Sequence, residues 1–133
     1  MTQAPKGAGS QYITATKDSE GQWLNGSNTY MMEIPPNVPE TNFWSVILYD
    51  AKYHSMVLNE QYKWGVNSNI EGIQQEKDGS IKLYFSPEKP NGVADKNWIQ
   101  TNHKQAYFVW FRVYGPKESW YDNSWVLPNI EKK

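Results

Sequence analysis

Two segments of this chain, "NFWSVILYD" at 42–50 and "AYFVWFRVY" at 106–114, are apolar or aromatic at odd and even positions alike. Side chains along a strand point alternately to opposite faces, so a run of this kind asks for cover on both sides. Elsewhere short apolar runs alternate with clusters of Gly, Asn, Asp and Pro. Tyr30, Met32 and Ile34 share one face of "NTYMMEI" before "PPNVPE" ends the strand, since proline cannot donate to a ladder. "DGS" at 78–80 signals a turn into "IKLYFS", where Ile81, Leu83 and Phe85 alternate with Lys82, Tyr84 and Ser86 and predict a half-exposed strand. "WIQ" at 98–100 reads as a short strand, and "SWVLP" at 124–128 as a last edge strand closed by Pro128. No stretch shows a helical stripe. The pattern predicts an all-β sandwich of about seven or eight strands, with helix confined to short turns.

With 133 residues the chain suits one domain with one core. "MTQAPKGAGSQ" has too few large apolar groups to pack, so residues 1–11 read as a tail or linker and 12–133 as the domain. Thirteen basic and fourteen acidic residues leave a formal charge of −1, which argues against a nucleic-acid partner. No run approaches the roughly 20 apolar residues of a membrane span. Met1–Ser10 lacks the apolar centre of a signal peptide, which leaves the compartment open, a trimmed form of an exported protein included. With no cysteine there is no disulfide or thiol chemistry.

Seven Trp and nine Tyr are the compositional anomaly. Such rings serve cores, interfaces and sugar-stacking sites alike. Trp44 and Trp110, inside the two-sided strands, read as core. Trp98 and Trp120, beside the polar stretches "KNWIQ" and "ESWYD", are the tryptophans expected to reach a ligand, with Tyr62 and Trp64 as further candidates for an aromatic groove. Arg112 is the only arginine, against twelve lysines, and shares a strand face with Phe108, Trp110 and Tyr114. A guanidinium in such surroundings needs partners. Asp50, at the end of the other two-sided strand, is the expected carboxylate, with Asp78 in reserve. Recognition of an anion or sugar by Arg112 and Tyr114 is the competing reading. His54 and His103 have no metal-ligand spacing, and there is no Gly-x-Ser-x-Gly or phosphate-cradling loop. No catalytic residue, metal ligand or cofactor is assigned, and the reading leans away from an enzyme for this domain alone. "NGS" at 25–27 is a formal glycosylation sequon that reads more simply as a tight turn.

The ordered series "EGQWLNGSNTY", "FWSVILYD", "DGSIKLYF", "NWI", "FRVYGP" and "WVLP" resembles the DUF1214 family from about Asp18 to Pro128. The resemblance implies a jelly-roll-like antiparallel β-sandwich, and a usual place as the C-terminal half of proteins that begin with a DUF1254 domain. It implies no established reaction. After the Trp of "NW" the family usually has Leu-Pro-x-Pro, whereas this chain has "IQTNHKQ" at 99–105. Two functions are therefore expected to compete. One is an assembly module whose second apolar face, with Trp44, Leu48, Tyr107 and Phe111, is covered by another copy, by the N-terminal segment or by a DUF1254-type domain. The other is a site for a carbohydrate or small polar ligand, within reach of a glycan-processing role.

Overall fold

The computed structural model describes residues 2–3, 9–61, 63 and 65–133. In chain order its strands are β1 (Thr2–Gln3), β2 (Ser10–Ala15), β3 (Tyr30–Ile34), β4 (Glu40–Asp50), β5 (Gly65–Asn67), β6 (Ile81–Ser86), β7 (Trp98–Gln100), β8 (Tyr107–Pro116) and β9 (Glu131–Lys132). Seven of them are three residues or longer, and the one α-helix among the described residues, α1, is the single turn Glu118–Tyr121. The all-β expectation holds. Strands form a five-stranded sheet in the order β1-β2-β8-β4-β5 and a four-stranded sheet in the order β7-β6-β3-β9. Pairing is antiparallel except between β6 and β7, which run parallel. The second sheet is therefore mixed rather than purely antiparallel.

The core lies between the sheets. Val46, Leu48, Val109, Phe111 and Val113 from β4 and β8 face Tyr30, Met32, Leu83, Phe85 and Ile99 from the other sheet, all of them buried. In β6 the residues Ile81, Leu83 and Phe85 are buried while Lys82 and Tyr84 are partly exposed, as the alternation predicts. Phe111 is also covered at one end of the sandwich by Trp120 from α1 and by Trp125, at centroid distances of 6.4 and 5.7 Å.

Two boundaries differ from expectation. β2 begins at Ser10, with Gln11 buried, and β1 pairs with it through Thr2↔Thr14 and Gln3↔Ile13, so the paired region reaches into the segment read as a tail. Main-chain pairing does not require apolar side chains, which is why composition missed it. Residues 124–128 are not a strand. Trp125 donates its indole N–H to the Pro36 carbonyl (3.1 Å) and caps the core, while the last strand is β9. Beyond β4 the chain adds the isolated bridge Tyr49↔Met56.

The turns follow their local chemistry. At 25–28 the Asn25 side chain accepts the Ser27 N–H (2.9 Å) and the Asn25 carbonyl accepts the Asn28 N–H (3.1 Å). Gly26 is required because a Cβ there would lie 1.9 Å from the Asn102 carbonyl oxygen.

Candidate functional site

The two-sided strands turn one parity inward and the other outward. Trp44, Leu48, Tyr107 and Phe111 face the core, at 4%, 0%, 2% and 1% exposure. The expectation that these four need a second cover is therefore corrected: the opposing sheet buries them. Residues of the other parity, Phe43, Ile47, Tyr49, Phe108, Trp110, Arg112 and Tyr114, lie on the outer face of the five-stranded sheet together with Tyr12 of β2, all partly exposed. Trp110 is thus an outer-face residue and not a core one.

The outer rings stack on one another across the strands. Phe43 and Tyr114 are directly paired, with centroids 4.2 Å apart and planes at 23°. Tyr49 and Phe108 pair in the same way at 5.4 Å and 16°, and Tyr12 stacks on Trp110 at 4.8 Å and 17°. Tyr49 meets Trp110 edge to face at 5.4 Å, which joins the Tyr49–Phe108 and Tyr12–Trp110 pairs into one patch. These separations are close to the strand spacing of about 4.8 Å, so the rings turn their faces toward their neighbours.

Arg112 lies within this patch, between Tyr12 on β2 and Ser45 on β4 in the ladder. Its guanidinium carbon is 5.1 Å from the Trp110 ring centroid, 5.7 Å from Tyr114 and 6.0 Å from Tyr12, a cation–π cage. Its Nη1 donates to the Tyr114 hydroxyl at 3.3 Å, and its Nε is buried with no partner among the described residues.

The expected pair with Asp50 does not form. Antiparallel register puts Asp50 beside Tyr107, five residues along β8 from Arg112, which is roughly 16 Å of strand. Asp50 instead caps the turn after β4. It accepts the Lys52 and Tyr53 N–H groups (2.7 and 2.9 Å) on one oxygen and the Gln105 amide (2.6 Å) on the other. The Tyr53 bond first, then those from Gln105 and Lys52, hold its carboxyl below the usual carboxylate range. Asp78 is equally occupied, accepting both the N–H and the hydroxyl of Ser80. The ion pairs among the described residues are Lys89–Asp95 and Lys133–Glu131, and neither includes Arg112.

The remaining expected site residues do not converge. Trp120 is buried at 4% exposure and stacks on Phe111, so it belongs to the core. Trp98 is on β7 of the other sheet and ties its indole N–H to Ser86, at 3.0 Å to Oγ and 3.2 Å to the carbonyl. Tyr62 and Trp64 lie outside the described residues. His103 is exposed, and no group of metal-ligating side chains is present among the described residues. Lys63 donates to the carbonyls of Asp95 (2.9 Å) and Trp98 (2.7 Å), and burial, then Lys96, pushes its pKa from 10.5 to about 8. That contact fastens a loop to β7. Sequence reasoning placed Arg112 and Tyr114 correctly on one face but missed Tyr12 and Phe43 as their neighbours and Tyr49 beside Trp110. Their period-two positions carried the signal, and the strand order needed to use it was not readable.

A two-layer β-sandwich with an aromatic, arginine-bearing outer sheet face is the class that fold and site define. Residues 9–118 match the family described as "Protein of unknown function (DUF1214)", and the chain belongs to that family. No curated protein matches it. Among solved structures it is similar to the VPA0106 protein from Vibrio parahaemolyticus, with a TM-score of 0.76 and 27% identity over 92% of this chain and 30% of that one. It also shares its fold with an uncharacterised protein from Burkholderia cenocepacia, with a TM-score of 0.52 and 13% identity over 93% of this chain and 29% of that one. The chain thus spans under a third of the length of these relatives of known structure. No helix among the described residues is long and apolar enough to cross a membrane.

Proposed function

We propose that this domain is an assembly module that docks a separate polypeptide domain, of the DUF1254 type implied by the family resemblance, against the outer face of its five-stranded sheet. The observation that carries the reading is Arg112, a cation in an aromatic patch whose buried Nε has no partner, and which has no carboxylate beside it, among the described residues. A partner bringing apolar side chains and a carboxylate would complete that environment. A second copy fits less well. Two-fold pairing sets the same patch against itself, and among the described residues this patch offers a guanidinium and no acid to receive one. The relatives of known structure, about three times as long as this chain, carry the further polypeptide such a face would need.

The competing reading, a platform for carbohydrate, is disfavoured by ring orientation. Sugars stack on open ring faces, whereas at least one face of each paired ring here is taken by its neighbour. Light scattering coupled to size exclusion tests the proposal. The expected result is a monomer alone and a one-to-one complex with a co-expressed DUF1254-type domain, lost in Ile47→Lys. A concentration-dependent dimer abolished by Ile47→Lys would replace the proposal with self-association. A complex indifferent to Ile47→Lys would move the interface off this face.

A further inference from the structure

Beyond the docking face, at the end of the sheet where β2, β4 and β8 meet their connections, lies a half-open cavity of about 370 Å³. Its lining is almost wholly apolar, and its ring-bearing residues are Trp23, His54, Tyr107 and Phe108, with Leu24 among the others. His54 and Phe108 meet edge to face at 5.7 Å, so a right-angled aromatic corner is already assembled. Backbone bonds hold the walls: Leu24 N–H donates to the Thr16 carbonyl at 3.1 Å, and Ala51 N–H to the Ala106 carbonyl at 3.0 Å. Two alanines in the lining leave the space open. Trp23, 68% exposed, has the Lys17 ammonium 4.5 Å from its ring centroid. An indole left this exposed beside an apolar cavity is unlike the paired rings of the sheet face.

We propose that this cavity is a binding site for a small neutral molecule with a planar aromatic body of one or two fused rings. The volume falls in the range of small-molecule sites, roughly 300–1,000 Å³, and exceeds the cavity of about 150 Å³ that accepts benzene. Charge is disfavoured in the buried part, because the polar groups of the lining residues are the hydroxyls of Thr14, Thr16 and Tyr107, the imidazole of His54 and the indole N–H of Trp23, and no Asp, Glu, Lys or Arg is among them. The ring corner favours a flat guest that meets Phe108 and His54 by offset or edge contacts.

The test is a titration of the chain with indole, followed by two-dimensional amide NMR, with cyclohexanol and benzylammonium as comparators. Indole is expected to shift Trp23, His54 and Ala106 and to saturate with a Kd below about 1 mM. Cyclohexanol and benzylammonium are expected to bind at least about tenfold more weakly. Ala106→Leu, or Ala51→Leu should the first variant lose its folded spectrum, fills the space and is expected to abolish the shifts. No response at several millimolar indole, shifts confined to Tyr12 and Trp110 on the sheet face, or equal binding of cyclohexanol would each overturn the assignment. The titration needs no partner domain, so its failure is separate from a failure of the docking proposal.

Discussion

The inner and outer faces of β4 and β8 are built from the same two strands and similar side chains, yet they behave as different materials. Inside, Trp44, Val46, Leu48, Val109 and Phe111 are at most 4% exposed, and Tyr107 meets Tyr30 and Phe85 edge-on at 6.3 and 6.4 Å. Outside, Phe43, Tyr49, Phe108 and Trp110 stack on cross-strand neighbours and stay partly exposed. The difference comes from the layer opposite. A facing sheet supplies contacts from above, so inner rings interlock with it, while outer rings shelter only against one another. An aromatic surface organised this way leaves a broad, partly exposed apolar patch on one sheet face.

The largest expected effect tests the inner face. Phe111→Ala should cost about 3–5 kcal/mol, read from the midpoint of urea unfolding, because Trp44, Trp120 and Trp125 all lose a neighbour. Tyr49→Ala, on the outer face of the same strand pair, should cost only about 1–2 kcal/mol, the sum of partial burial and one stacked pair. Equal losses would erase the distinction between the faces.

A smaller effect, of opposite sign, sharpens the comparison. The Tyr107 hydroxyl is buried without a partner among the described residues, so Tyr107→Phe should leave stability unchanged or raise it by about 1 kcal/mol. Burial, then Tyr30, also pushes the Tyr107 phenol well above its usual 10.0. A group whose pKa is raised in the folded state stabilises fully below its unfolded value, and that contribution is lost as pH rises beyond it. Stability should therefore fall above pH 10, and less steeply in Tyr107→Phe. An identical fall in both proteins would place the phenol in water.

The smallest effect concerns Arg112. Removing one member of a buried ion pair costs about 3–5 kcal/mol, but among the described residues Arg112 has ring contacts and a bond to a hydroxyl instead. Arg112→Met, which keeps most of the stem, should shift stability by about 1 kcal/mol or less. A double-mutant cycle with Asp50→Asn should be additive within about 0.5 kcal/mol. Strong coupling would restore the ion pair that the register separates.

By itself the sequence determined the all-β class, the alternation within β3, β4, β6 and β8, the turns at Asn25–Gly26 and Asp78–Gly79, and the grouping of Phe108, Trp110, Arg112 and Tyr114 on one face. These depend on neighbours within a few residues, where the two-residue repeat and local hydrogen bonds act directly. Which face turned inward, and which residue stood beside Arg112, depended on strand order and register. Antiparallel pairing set Ser45 and Tyr12 against the arginine and carried Asp50 to the far end of the same ladder. The cavity beside Trp23 likewise exists because residues 14–24, 51–54 and 106–108 are folded together. Such meetings are fixed by the packing of one layer on another, which only the tertiary structure decided.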